Sequence, residues 1–143
     1  MAAPSSSTPK RAAASRPVRR FSLDQANRAL PLVRRIVTDI VRMHASAATY
    51  RDALERTSGA REIALVQKEL DLAIDRLAEY IDELSDIGVE LKDYENGLVD
   101  FIGRHEGRDV YLCWKLGEDR ITHWHEMTAG FAGRKPVSLL HER

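Results

Sequence analysis

Between positions 63 and 87, apolar residues recur in alternating steps of three and four: Ile63, Val66, Leu70, Ala73, Leu77, Tyr80, Leu84 and Ile87. That spacing is one face of an α-helix. The opposite face carries Glu62, Glu69, Asp71, Asp75, Glu79, Asp82, Glu83 and Asp86, and Gly88 follows as the residue type that most often ends a helix. Upstream, Val33, Val37, Ile40, His44, Ala47 and Leu54 mark a second helical stripe. Its start is written in Ser22 and Gln25, the spacing of a capping box. Pro31 removes one ladder bond, which predicts either a kink or a short helix followed by a new one. The first arm carries Arg28, Arg34, Arg35, Arg42, Arg51 and Arg56, which complement the acidic second arm. With Thr57-Ser58-Gly59 as the turn, the two arms predict a long antiparallel helical hairpin.

After Gly88 the period changes from 3.6 to two. Val89-Glu90-Leu91-Lys92 alternates, Glu95-Asn96-Gly97 is a hairpin turn, and Leu98 to Ile102 is the next strand. A turn over 104–108, a strand over 109–116, a turn over 117–119 and a strand over 120–125 complete a four-stranded antiparallel meander. Alternation puts Leu112, Trp114 and Leu116 on one face and Tyr111, Cys113 and Lys115 on the other, with Trp124 opposite His123 and His125. The tryptophans are expected to face the helices. The predicted class is therefore α+β: a basic tail over 1–20, then one domain over 21–143, divided into a hairpin over 21–87 and a meander with a C-terminal loop over 88–137.

Charge changes this picture only at the ends. The net charge is zero, yet residues 1–20 hold Lys10, Arg11, Arg16, Arg19 and Arg20 and no acid. A tail of Ala, Ser, Pro and Arg buries too little to offset its ordering entropy and is expected to be disordered. Five cations without interleaved aromatics are a weak footprint for nucleic acid, which is not expected as a partner. The single cysteine forms no internal disulfide, and no apolar run has the length of a membrane span or signal-peptide core, so a cytoplasmic location and no membrane partner are expected. Leu65, Leu72, Ile74 and Ile81 lie off the main stripe and widen the apolar face of the second helix, which predicts a homodimer.

Candidate chemistry concentrates between Gly97 and Arg134, which contains both tryptophans, the one cysteine and three of the five histidines. The segments FSLDQANRALPLVRRI, GVELKDYENGLVDF, VYLCWKLGEDRITHWHE and GFAGRKP resemble the small bacterial family labelled domain of unknown function 2203 over about positions 21 to 137. Gly97, Asp100, Phe101, Cys113, Trp114, Gly117, Glu118, Trp124, His125, Gly130, Phe131, Gly133 and Arg134 match its pattern; His123 falls where histidine is not fixed. The label implies no activity, substrate or cofactor.

Three readings of the site remain open from the residues. The first is a binding or scaffold module whose glycine-flanked loop over 130–136 presents Arg134 and Lys135 to an anionic small molecule, in a pocket shared with Asp100, His125 and Glu118. The second is a zinc or iron site built from Cys113, His125 and a carboxylate from Asp100, Glu118 or Glu126, although no C-x-x-C or H-E-x-x-H spacing is present. The third is metal-free hydrolytic chemistry with His125 as base and Cys113 as nucleophile. Whether the chain is an enzyme, and with which cofactor, is undecided at this level.

Overall fold

The computed structural model describes residues 17–143, so the expected tail lies outside the described residues up to position 16. Helix α1 spans Leu23–Arg56 and α2 spans Ala60–Ile87. Ser22 accepts from the Gln25 amide and Gln25 returns the bond to the Ser22 amide, the expected capping box. Gly88 ends α2 in the left-handed region at φ 99°. Helix α1 runs through Pro31 as one element. A proline inside a helix costs about 3 kcal/mol. Burying a leucine or valine contributes about 1.5–3 kcal/mol each. Ala26, Leu30, Val33, Ile36, Val37 and Ile40 are all buried around it while Pro31 itself faces solvent, so core packing outweighs the broken ladder.

Five antiparallel strands follow in the spatial order β1-β2-β3-β4-β5: β1 Val89–Asp93, β2 Leu98–His105, β3 Arg108–Lys115, β4 His123–Glu126 and β5 Lys135–Pro136. The expected meander is therefore present with one strand more than the four predicted. The fifth is two residues long, too short to show a period, and its proline is tolerated because β5 is an edge strand. Strands β2 and β3 extend through the predicted 104–108 turn to leave only Glu106 and Gly107 at the tip, at φ 48° and 83°. Strand β4 starts at His123 and not at 120, because Ile121 drops into the core and gives its N–H to the Asn27 side chain at 2.8 Å.

The helices cover one face of the sheet. Val99 and Phe101 of β2, Val110, Leu112 and Trp114 of β3, and Trp124 of β4 point into a single core with Leu30, Val33, Val37, Ile40 and Leu84. Both tryptophans face the helices, as alternation requires. Each buried indole N–H is satisfied: Trp114 Nε1 donates to the Glu118 carbonyl at 3.0 Å and Trp124 Nε1 to the Pro136 carbonyl at 3.1 Å. His44 stacks on Tyr94 in the first hairpin turn, ring centres 5.3 Å apart, which ties α1 to the sheet. No described helix is long and apolar enough to cross a membrane.

Gly97 shows how closely the sheet and α1 meet. It has φ 74°, and a β-carbon there would lie 2.8 Å from Leu116 Cβ and 2.9 Å from Val37 Cγ1. Gly107 has φ 83° with nothing within 4 Å of the same position. Gly107→Ala should cost only the left-handed strain, about 1 kcal/mol. Gly97→Ala should add an overpacking cost of about 1–3 kcal/mol. Urea denaturation of the two variants reads the difference directly, and equal midpoints would show that the contact between Gly97 and α1 is not tight.

Candidate metal centre

On the sheet face turned away from the helices, the register sets Asp100 directly opposite Cys113, and Cys113 opposite His123. One row further along, Ile102 pairs with Tyr111 and Tyr111 with His125. His125 is therefore the diagonal neighbour of Cys113. Yet Asp100 is 2% exposed, Cys113 0% and His125 3%, although this face has no helix over it. The chain over 127–134, between β4 and β5, folds back across it: Phe131 lies with its ring 5.7 Å from the Lys115 ammonium of β3 and 4.4 Å from the Arg134 guanidinium.

Beneath that loop, one ligand atom each from Asp100, Cys113 and His125 lie within 4.8 Å of one another. His125 Nδ1 is 2.9 Å from the Glu126 carbonyl, which can only accept, so Nδ1 carries a proton. His125 Nε2 lies 3.2 Å from Asp100 Oδ1. One further proton is shared across that contact, whichever partner holds it. Burial pushes the Asp100 carboxyl upward, while the facing imidazole opposes the shift. Burial raises the Cys113 thiol to about 12, with the Asp100 charge as the next cause and Arg134 pulling the other way. Cys113 lies directly opposite Asp100 in the register and within the same 4.8 Å group, so the three side chains form one polar cluster.

The other expected site residues surround this cluster without entering it. Arg134 donates to Glu118 Oε2 at 2.8 Å and Oε1 at 3.0 Å, and Glu118 Oε1 also accepts the Lys115 amide at 2.9 Å. The loop is thus locked to the β3–β4 turn through Glu118, with no ion pair between Arg134 and Asp100 among the described residues. Lys135 sits over the Trp124 ring at 5.0 Å, with its ammonium 3.8 Å from Glu126. His123 directs Nδ1 to the Thr122 hydroxyl at 2.9 Å and takes no part in the cluster. Sequence reasoning missed Tyr111, whose ring centre is 5.4 Å from that of His125 and whose hydroxyl donates to Glu90 at 3.0 Å. Its signal was available: alternation already placed Tyr111 on the same face as Cys113.

The fold and this cluster define a class, a small α+β protein with a mixed carboxylate, thiol and imidazole set enclosed between a sheet and a loop. Residues 19–137 match the family described as Uncharacterized conserved protein (DUF2203), and the chain belongs to it. No curated protein and no solved structure matches the chain.

A buried thiol held at about 12 should be chemically silent. At pH 8 its thiolate fraction is on the order of 10⁻⁴, and access is closed as well. Native protein without added metal should resist iodoacetamide for hours, and denatured protein should alkylate within minutes. Rapid modification of the native form would show that the 127–134 loop opens freely.

Proposed function

We propose that this protein binds one divalent transition-metal ion, zinc by its ligand chemistry, at Asp100, Cys113 and His125. The observation that carries the reading is the convergence of three different ligand types within 4.8 Å in a fully enclosed setting. A tetrahedral ion with bonds of about 2.0–2.3 Å sets its ligand atoms about 3.3–3.5 Å apart, so only small rotations separate this cluster from a coordination sphere. His125 is already oriented for the task. Its Nδ1–H bond to the Glu126 carbonyl fixes the tautomer that leaves Nε2 facing the site. Thiolate with imidazole favours zinc over magnesium or calcium. Three protein ligands leave a fourth position for solvent or a small molecule, the arrangement in which zinc acts as a Lewis acid.

The thiol must lose its proton for this to happen. Taking a group at about 12 to its thiolate at pH 7 costs roughly 7 kcal/mol. Structural zinc sites with four protein ligands contribute about 10–16 kcal/mol at pH 7, a scale on which a three-ligand site can offset that cost. Charge also balances: the cluster gives up the thiol proton and the proton shared by Asp100 and His125, and takes up two positive charges. By contrast, the anion-pocket reading is weakened by Glu118, which already neutralises Arg134.

Protein purified without a histidine tag should contain about one zinc per chain, and titrating zinc into the stripped protein in weak buffer should release close to two protons per ion. Cys113→Ser and His125→Ala should each lose the metal while keeping their circular dichroism. Zinc at 100 times its dissociation constant should stabilise the native chain by about 2.7 kcal/mol. Metal content and melting temperature that are the same in Cys113→Ser as in the native chain would sink the reading.

A second element of the proposal is a homodimer through the far end of the hairpin. The core residues of α1 all lie between Ala26 and Ile40, and Leu65 at 61% and Leu72 at 45% exposure stand one heptad apart on one flank of α2. Leu72 borders a cleft between the helices lined by Met43, Tyr50 and Arg76 among others, which a second copy of the same flank would fill. Sedimentation at tens of micromolar should show a dimer, and the Leu65→Glu, Leu72→Glu double variant a folded monomer. A native chain that sediments as a monomer refutes the dimer.

A further inference from the structure

Immediately beside the buried cluster lies an open cleft of about 300 Å³, lined by Asp93, Asn96, Leu98, Lys115 and Phe131. Its place follows from the register: Leu98 pairs with Lys115, two residues along the strands from the Asp100–Cys113 pair on the same outer face. The walls are of three kinds. Leu98 and the exposed ring of Phe131 are apolar. Lys115 contributes an ammonium that lies over Phe131 and has no carboxylate within ion-pair distance among the described residues. Asp93 contributes a carboxylate whose oxygens accept the Glu95 amide and the Asn96 side-chain amide, each at 2.9 Å, which leaves further lone pairs directed elsewhere.

We propose that this cleft is a binding site for a small zwitterion with an apolar body, of the chemical class of apolar α-amino acids. Lys115 takes the carboxylate, Asp93 the ammonium group, and Leu98 with Phe131 the side chain. The charges choose between ligand classes. A simple anion would meet Asp93 next to its Lys115 contact, and a simple cation would meet Lys115 next to Asp93. A molecule bearing both charges satisfies each wall at once. Asp93 is held ionised, because the Asn96 side chain and the Glu95 amide donate to it and keep its carboxyl below the ordinary range. The volume is at the lower end for ligand pockets, which suits a molecule of about a dozen heavy atoms. Phe131 also belongs to the loop that carries Arg134, so a ligand against its ring sits beside the Arg134–Glu118 clamp.

The site stands without the metal reading and is tested separately from it. L-phenylalanine serves as the probe, with benzoate and phenethylamine as the single-charge controls, each titrated by ligand-observed NMR into native protein. Saturable binding of phenylalanine, at least about tenfold tighter than either control, is expected. Lys115→Met, Asp93→Asn and Phe131→Ala should each weaken it by about tenfold or more, with zinc content at the native level in Lys115→Met and Asp93→Asn. Cys113→Ser should lose zinc and keep phenylalanine. Absence of saturation at about 20 mM phenylalanine, equal binding of benzoate, or native affinity in Lys115→Met overturns the proposal.

Discussion

The pleat of β2 and β3 is the constraint from which the rest of the molecule follows. Successive residues in a strand must face opposite ways, so a strand that commits Val99 and Phe101, or Leu112 and Trp114, to the helices must also commit Asp100 and Cys113 to the other side. Both tryptophans need cover, and α1 up to Ile40 with the end of α2 supplies most of it, while His105 and Lys135 add to it at the Trp124 ring. Shifting either strand by one residue would expose the core and bury the charges. The polar cluster is therefore held in place by the hydrophobic core behind it.

Asp100, Cys113 and their diagonal neighbour His125 on an uncovered sheet face would be ordinary surface. The 127–134 loop makes it interior, and that changes its chemistry. With water excluded, the thiol is pushed up to about 12 and the carboxyl rises as well. The remaining stabilisation comes from partners, since a buried ionisable group without one costs several kcal/mol. Asp100 meets His125 and Cys113, and His125 meets the Glu126 carbonyl. Glu118 secures the cover by joining the Arg134 guanidinium to the Lys115 amide. The one buried side-chain nitrogen without a partner among the described residues, Arg134 Nε, lies in that same clamp.

Two neighbouring regions of one sheet face thus differ in kind. Under the loop, carboxylate, thiol and imidazole converge with no room for a large ligand, the setting of an ion site. One row along, Lys115, Asp93 and the Phe131 ring border open space, the setting of a small-molecule site. Phe131 links them, because it belongs to the cover of the first and the wall of the second.

The sequence by itself determined the elements and their faces. The three-four stripe from Ile63 to Ile87, the Ser22–Gln25 cap, the Gly88 stop and the period-two runs all carry local signals, because helix and strand periodicity is set by backbone geometry within a few residues. Alternation likewise placed Cys113 and His125 on the face away from the tryptophans before any contact was known, with Asp100 on the strand before able to join them. Only the tertiary structure decided what lay outside local reach. Whether α1 survives Pro31 depends on the core around Leu30 and Val33, and whether 135–136 is a strand depends on β4 being there to pair with it. The partner of Arg134 was equally out of reach: Glu118 and not Asp100 receives it, because the loop's path over the sheet is set by contacts sixteen residues apart. Burial of the cluster was the largest such decision, since an alternating strand reads the same whether a loop covers its polar face or water does.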